Sequence, residues 1–489
     1  VKGLEEVVVV GYGTQQKANL TGAVATLDFK DIENSPQAST TNILSGRLPG
    51  VAIVQGGGQP GNDEGEITIR GTTGLTGSSV SPLVIIDGIQ STPRDLANLA
   101  PQEIANITVL KDAASASIYG SRGGNGVILV TTKLPKKEGL SINFGAYTAF
   151  QEATYLPELV ESWQFMQLHN EATDATGING SGYPLTAIDS ARNGLFSDNI
   201  ANTKWFEEIF RTAPMQNYNL GVSGRSQGTA YQVSATVQNQ EGILRGTSSD
   251  RYTIRGNLKS NISKFISAGL NINGFLRTAN SPFRSTNLIL QDANRIPLLP
   301  VRYANGEFAV YNRYTNQPND VNPVLATEIG YNNEEQVKIN FQPSLIFKIN
   351  DDLKLNTSLT YSVNFANSEQ FNPTYNYNSN YGIPAYVNNN SRLNTTSNTN
   401  KQLQVQTTLN YNKVINQKHA LTGLLGHEYL DFKSSFRRAQ GDNLPSNELP
   451  VLDNATSAFL VNGNKGQNRL QSFFGRATYG YNNKYLIEA

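Results

Sequence analysis

Past residue 215, apolar or small residues alternate with polar ones at a period of two, the pattern of β-strands with unlike faces. Tyr218, Leu220 and Val222 alternate over 216–224, and Tyr231, Val233, Ala235 and Val237 over 230–238, with the short turn GRSQGT between. The same rhythm predicts strands over 140–150, 251–259, 264–277, 335–349, 353–365, 402–412, 419–430 and 470–481, and KYLIEA begins an eleventh. The gaps alternate as well: 151–215, 239–250, 278–334, 366–401 and 431–469 are all longer than the turns that separate them. A meander places alternate gaps at opposite ends, so the long ones gather together. Long loops at one end and short turns at the other describe a transmembrane β-barrel. A soluble sandwich or propeller also has many alternating strands, but nothing in it would sort gap length by end.

Residues 16–138 read differently, as a compact glycine-rich α+β unit. SPQASTTNILSGRLPGV predicts a short helix around Ser39–Leu44, stopped by Gly46 and Pro49. ITIRG and PLVIIDGI predict strands over 67–71 and 82–89, with Asp87-Gly88 as a hairpin turn. EIANITVLKD, AASASIYG, SRGGNG and VILVTTK read as strand, small-residue helix, glycine turn and strand. The glycines 120, 123, 124 and 126 follow a helix instead of opening one and lack the lysine of a P-loop, so tight turning explains them better than phosphate binding. Arg70, Lys111 and Asp112 are the charges to watch: structural ion pairing is one role, a lock on the domain the other.

Ahead of this unit, LEEVVVVGYGTQ packs four β-branched residues between carboxylates and glycines. It reads either as an edge strand or as a strand held for a partner to add to its own sheet.

Composition changes the picture in three places. Lysine plus arginine equals aspartate plus glutamate at 39 each, so no net charge recruits nucleic acid or an anionic membrane surface. No apolar run approaches the roughly 20 residues of a spanning helix, which leaves a barrel untouched because its strands turn only alternate residues to lipid. Cysteine is absent, excluding disulfides and thiolate metal sites.

Candidate chemistry is sparse. Tyrosines 218, 231, 252, 361, 411, 479 and 481 near strand ends suit an interfacial belt or cross-strand packing. Residues 156–170 place Leu159, Val160, Trp163 and Met166 on one helical face in the first long loop. In FNPTYNYNSNYGIPAYVNNNS, Tyr375, Tyr377 and Tyr381 interleave with amides that could stack on and hydrogen-bond a neutral polar ligand. Asp63, Glu64 and Glu66 read as a calcium site or, more simply, a solvated turn. His169, His419 and His427 have no ligand spacing, and no nucleophile–base pair stands out, so no metal, cofactor or catalytic site is expected.

The motifs LEEVVVVGYGTQ, LSGRLPGV, ITIRG, PLVIIDG, VLKDAASASIYGSRGGNGVILVTTK, WFEEIFRTAPMQNYNLGVSG and FFGRATYGYNNKYL make the chain similar to the SusC-like (SusC/RagA-type) TonB-dependent outer-membrane transporters. The resemblance implies a plug domain over 16–138 inside a barrel of about 22 strands, the first half of which is 139–489. It implies that Glu5, Glu6, Val7, Val8, Val9, Val10, Gly11 and Tyr12, within a front segment 1–15, form the box bound by TonB of the TonB–ExbB–ExbD system. The plug motif then includes Arg70, Gly71, Asp87, Gly88, Lys111, Asp112, Tyr119, Gly120 and Arg122. Location in the outer membrane of a Gram-negative bacterium, a SusD-like lipoprotein lid and an oligosaccharide or peptide cargo also follow. A siderophore or vitamin receptor of the same machinery and a non-transporting adhesin remain the alternatives. The family usually carries a small sandwich-like domain ahead of the box, which these 489 residues do not contain. An open sheet of ten or eleven strands leaves unpaired edges in lipid, so the chain is expected to be the N-terminal portion of a longer barrel.

Overall fold

The computed structural model describes the chain except residues 1–6, 11–12, 17–22, 30–34, 36, 72–80, 136, 178–181, 311–321, 377–386, 389 and 483. At the front, β1 (Val7–Val10) and β2 (Gly13–Gln16) pair antiparallel as a two-stranded ladder. The next unit runs β3 (Val24–Asp28), α1 (Thr40–Ile43), β4 (Val51–Gln55), β5 (Gly65–Ile69), β6 (Leu83–Ile86), β7 (Ile89–Ser91), α2 (Pro93–Ala97), β8 (Ile104–Leu110), α3 (Ala113–Ala116) and β9 (Val127–Thr132).

Five of these strands form one mixed sheet in the order β3-β8-β9-β6-β7, with β6 parallel to β9 and the other pairings antiparallel. β9 opens on the unbroken apolar run VILV because both faces of this sheet are covered. Ile107, Val109, Ile128 and Val130 enter one core with Ile43, Leu96 and the β4–β5 residues, whereas Leu110, Val127 and Leu129 meet Ala116 and Tyr119 on the other side. α2 begins on a capping box: Thr92 accepts from the Asp95 N–H at 3.2 Å, and Asp95 accepts from the Thr92 N–H at 2.8 Å.

From Gly139 onward an antiparallel sheet of 11 strands follows chain order. Its members are β10 (Gly139–Gln151), β11 (Ala213–Ser226), β12 (Thr229–Glu241), β13 (Ser248–Asn261), β14 (Ile266–Ser281), β15 (Tyr331–Lys348) and β16 (Leu353–Asn372). After the small ladder β17 (Tyr375–Asn376) with β18 (Val387–Asn388), the sheet resumes with β19 (Arg392–Ile415), β20 (His419–Asp442), β21 (Ser457–Tyr481) and β22 (Tyr485–Glu488). The long connections hold α4 (Ser162–Thr176), α5 (Leu185–Arg192), α6 (Trp205–Ile209), α7 (Thr286–Ala293) and α8 (Pro323–Glu328), whose apolar sides close two small cores around Trp205 and Met166.

Burial in this wall is inverted relative to a water-soluble sheet. Ile254, Leu425 and Phe473 stand 60%, 66% and 76% exposed, while Asn219, Gln238, Asn340, Thr360 and Gln404 on the opposite face are buried. No second layer of protein covers the apolar face among the described residues. That face fits hydrocarbon, and the polar one surrounds the five-stranded sheet.

Two expectations need correction. The strands run further than their apolar alternation at the long-loop end: β19 starts at Arg392, not 402, and β20 reaches Asp442, not 430. There Asn394, Thr396, Asn398 and Lys401 keep the ladder while both faces are polar, so the period-two signal disappears although the hydrogen bonds continue. The expected gap 239–250 shrinks accordingly to 242–247. The loop helix also starts late: α4 opens at Ser162, so Leu159 and Val160 precede it and lie exposed, while Met166 is buried and Trp163 packs beside it.

Candidate functional site: the contact between plug and wall

Arg255 occupies an inward position of β13, next to the outward Ile254, and its side chain is 4% exposed. It donates from Nε to Glu103 Oε2 at 3.0 Å and from Nη1 to Asp87 Oδ2 at 3.2 Å. Asp87 and Gly88 are the two central residues of the β6–β7 turn and both have positive φ, 50° and 85°, as a tight I′-type hairpin demands. The turn thus presents a carboxylate at the end of the sheet. Asp87 also accepts from the Thr132 N–H at 2.9 Å, the Thr132 hydroxyl at 2.7 Å and Asn271 Nδ2 at 3.2 Å. Glu103, almost without water contact, accepts from the Ser234 hydroxyl at 2.6 Å, and Asn257 donates to Thr132 Oγ1 at 2.9 Å. Buried charges are costly unless paired, and here Arg255 pairs with both Glu103 and Asp87 across the boundary of the two units.

Four further ties ring the sheet. Arg122 donates to Glu428 of β20 and, at 2.6 Å, to Gln90 Oε1; Glu428 is completed by Gln404 at 3.2 Å. Lys338 of β15 lies 2.7 Å from Asp95, so the capping carboxylate of α2 also anchors to the wall. Arg251 donates to the Ala38 carbonyl at 3.1 Å and to Asn98 Oδ1 at 3.2 Å. Arg277 joins the Gly61 carbonyl to Glu334 at 2.6 Å. Beside Arg122 a cavity of about 270 Å³ separates the sheet from the wall, lined by Leu83, Asp87, Tyr119, Gln406 and Glu428 among others. Burial, helped by the Glu428 charge, pushes the Tyr119 hydroxyl up and keeps it neutral.

Of the residues singled out from sequence, Asp87 and Arg122 face the wall. Lys111 and Asp112 instead hold the domain to itself: Lys111 Nζ donates to the Pro49 carbonyl at 3.0 Å, and Asp112 accepts from the N–H groups of Ala23 at 2.6 Å and Ser115 at 2.8 Å. Arg70 and Gly71 sit in left-handed backbone at φ 56° and 86° after β5. Val7–Val10 are not a solitary strand but pair with Gly13–Gln16; Glu5, Glu6, Gly11 and Tyr12 lie outside the described residues. Tyr375 belongs to β17, while Tyr377 and Tyr381 lie outside the described residues. Glu64 pairs with Arg94 at 2.8 Å, and no group of metal-holding side chains forms among the described residues. Of the belt tyrosines, Tyr218, Tyr231, Tyr252, Tyr361, Tyr411 and Tyr481 are exposed, Tyr231 also lying over Gly224 of the paired strand, and Tyr479 bonds His419 at 2.8 Å.

The strongest anchors, Arg255, Glu103, Lys338, Asp95 and Glu428, were missed in the sequence. Their one signal is a lone charge at an inward position, as in YTIRGNL, QVKINF and GHEYL.

Comparison with known proteins agrees with this architecture. Residues 16–127 match the TonB-dependent Receptor Plug Domain family. Along the chain the likeness is to SusC-like TonB-dependent receptors. TonB-dependent receptor P26 of Formosa agariphila is 29% identical over 99% of this chain and 47% of its own length. TonB-dependent receptor SusC of Bacteroides thetaiotaomicron is 26% identical over 99% of this chain and 48% of its own. Among solved structures, the RagAB peptide importer in its open-open state superposes with a TM-score of 0.82 at 23% identity, covering 99% of this chain and 55% of that one. The chain spans about half the length of these relatives.

Proposed function

We propose that this chain, alike from end to end to SusC-like TonB-dependent receptors and carrying their plug domain, supplies the plug and part of the wall of an energy-coupled importer in the outer membrane of a Gram-negative bacterium. The observation that carries this reading is the pairing of opposites: a folded domain tethered by buried ion pairs to the polar side of a sheet whose other side is apolar. A permanent core would be sealed with apolar residues, whereas polar ties can be exchanged for water when the domain shifts.

In this reading TonB captures residues 5–12 by adding them to its own sheet. A two-stranded ladder such as β1–β2 is marginal by itself, so trading its pairing for a partner's costs little. Traction then moves the plug and opens a path along the inner wall. Above the plug that wall is rich in amides and hydroxyls, with Gln336 donating to Asn364 at 2.8 Å and Arg438 to Asn394 at 2.9 Å. Such a lining suits oligosaccharides, or peptides, delivered beneath a SusD-like lid. Domain limits of 1–15, 16–138 and 139–489 belong to the same proposal.

Deleting residues 5–12 in the producing cell should abolish uptake while cargo still binds at the surface. Unchanged uptake would overturn TonB coupling. A glycan and peptide binding array on the intact complex identifies the cargo class.

A further inference from the structure

The outward face of the wall changes character along β19, β20 and β21. Near the short turns it is apolar, with Leu403 and Tyr411 on β19, Leu425 on β20 and Phe473 on β21, while Gln404, Thr408 and Glu428 at the intervening positions are buried inside. Continuing the same alternation toward the long loops puts Lys401, Lys433, Arg437, Lys465 and Arg469 outside, and all five are exposed.

The register brings these cations together. Lys401 is the direct cross-strand partner of Lys433, Ser435 that of Lys465, and Asp431 that of Arg469. Directly opposite side chains sit about 5 Å apart and diagonal ones about 7–8 Å, so one small anion can reach several of them. Like charges directly opposite destabilise a sheet unless something neutralises them. Asp431 is the one carboxylate within the group, 3.8 Å from Lys433 and 3.7 Å from Arg469. Lys401, Arg437 and Lys465 have no ion pair among the described residues. A groove of about 970 Å³ adjoins the patch across the outer strand ends, and most of its lining, including Thr278, Asn367, Thr395 and Arg437, occupies outward positions. Of its acids, Glu335 and Glu369 occupy outward positions of β15 and β16, away from the lysines, and Glu334 pairs with Arg277 on the inner side.

We propose that this patch binds the phosphorylated headgroup of an outer-leaflet lipid, the lysines meeting phosphate and the amide and hydroxyl groove taking the headgroup's sugar hydroxyls. The assignment rests on the membrane reading given above. Charge complementarity selects the occupant: the cations stand just beyond the apolar band, at headgroup height, where a lipid with anionic groups presents them. The balanced charge of the whole chain conceals this local surplus.

The test uses the intact full-length protein in nanodiscs of phosphatidylcholine with and without diphosphorylated lipid A. The wild type is compared with the triple variant Lys401→Gln, Lys433→Gln, Lys465→Gln and with the corresponding triple arginine variant. Each cation near an anionic surface contributes about fivefold, so the glutamine variant should retain lipid A about a hundredfold less tightly, while the arginine variant retains it. Equal retention by the glutamine variant overturns the proposal, and normal insertion into neutral nanodiscs then leaves the membrane reading standing. Failure to insert into either nanodisc overturns both. Displacement of lipid A by an equal concentration of inorganic phosphate overturns the lipid assignment in favour of a free anion. Loss of a protein companion with unchanged lipid retention marks the surface as a protein interface and overturns the proposal too.

Discussion

Arg255 of the wall and Glu103 of the plug meet at 3.0 Å with almost no water around either side chain. Removing one member of such a pair strands the other charge. Arg255→Met leaves two carboxylates, Glu103 and Asp87, without their cation. Docking of the plug should weaken by about 3–5 kcal/mol, read as faster amide exchange in β6, β8 and β9 of the intact protein. Arg122→Met, acting through Glu428 on a distant strand, should add to this within about 0.5 kcal/mol. Unchanged exchange in both variants would show that apolar packing alone seats the plug.

Asp112 gives the plug an acid-sensitive joint. Desolvation works to raise its pKa, but the hydrogen bonds from the Ser115 hydroxyl and from the N–H groups of Ala23 and Ser115, with the Arg70 charge, outweigh it and hold the carboxyl below its ordinary 3.8. A carboxyl depressed by folding contributes stability that is complete above the unfolded value and is lost as pH falls through the folded one. The stability difference between wild type and Asp112→Asn should therefore be largest near neutral pH and shrink below about pH 4. Denaturant titration of the plug signal at several pH values checks it. A constant difference would assign the joint to packing.

Gly126, at φ 86°, turns the chain into β9, and an added Cβ would stand 2.7 Å from Ile69 Cδ1 and 3.1 Å from the Leu110 carbonyl oxygen. Gly126→Ala combines left-handed strain with crowding of the Ile69 side chain and a tight approach to the Leu110 carbonyl, and should cost about 1–3 kcal/mol. Gly120, at φ 60° and ψ −148° with open space around its missing Cβ, isolates the backbone strain of an alanine without a close contact. The order of the two variants in thermal unfolding decides whether close approach or backbone strain governs this segment.

Leu425 separates lipid from water as the solvent of the outer face. At the centre of a bilayer Leu425→Arg should cost about 2–4 kcal/mol. On a water-exposed surface the same change stays within about 0.5 kcal/mol. Equilibrium unfolding of the intact protein from lipid vesicles measures it, and a neutral result would sink the membrane reading.

The sequence made the wall's repeat legible because half of each strand must be apolar, so Tyr218, Leu220 and Val222 announce β11 unaided. Where both faces are polar, as from Asn394 to Lys401, nothing alternates, and the ladder became visible only in the register of β19 against β20. The plug's strands were legible from apolar runs such as LVII and VILV and from the Asp87-Gly88 turn. Its anchors were not. Arg255 and Glu103 are far apart in sequence, and a lone arginine in a strand says only that something must neutralise it. Lys111 and Asp112 drew attention by standing together, yet each serves a turn in its own domain.

In the plug sheet, β3 is the member next to the front and has one neighbour, β8. The residues that grip the wall lie beyond β3, from Ala38 and Gly61 through Asp87, Asp95 and Glu103 to Arg122. The hold of β3 on the sheet is a single ladder of five residue pairs. If the traction proposed above acts at this end, this one ladder is loaded ahead of the anchors behind it, so the length of chain released and the width of passage opened need not grow together.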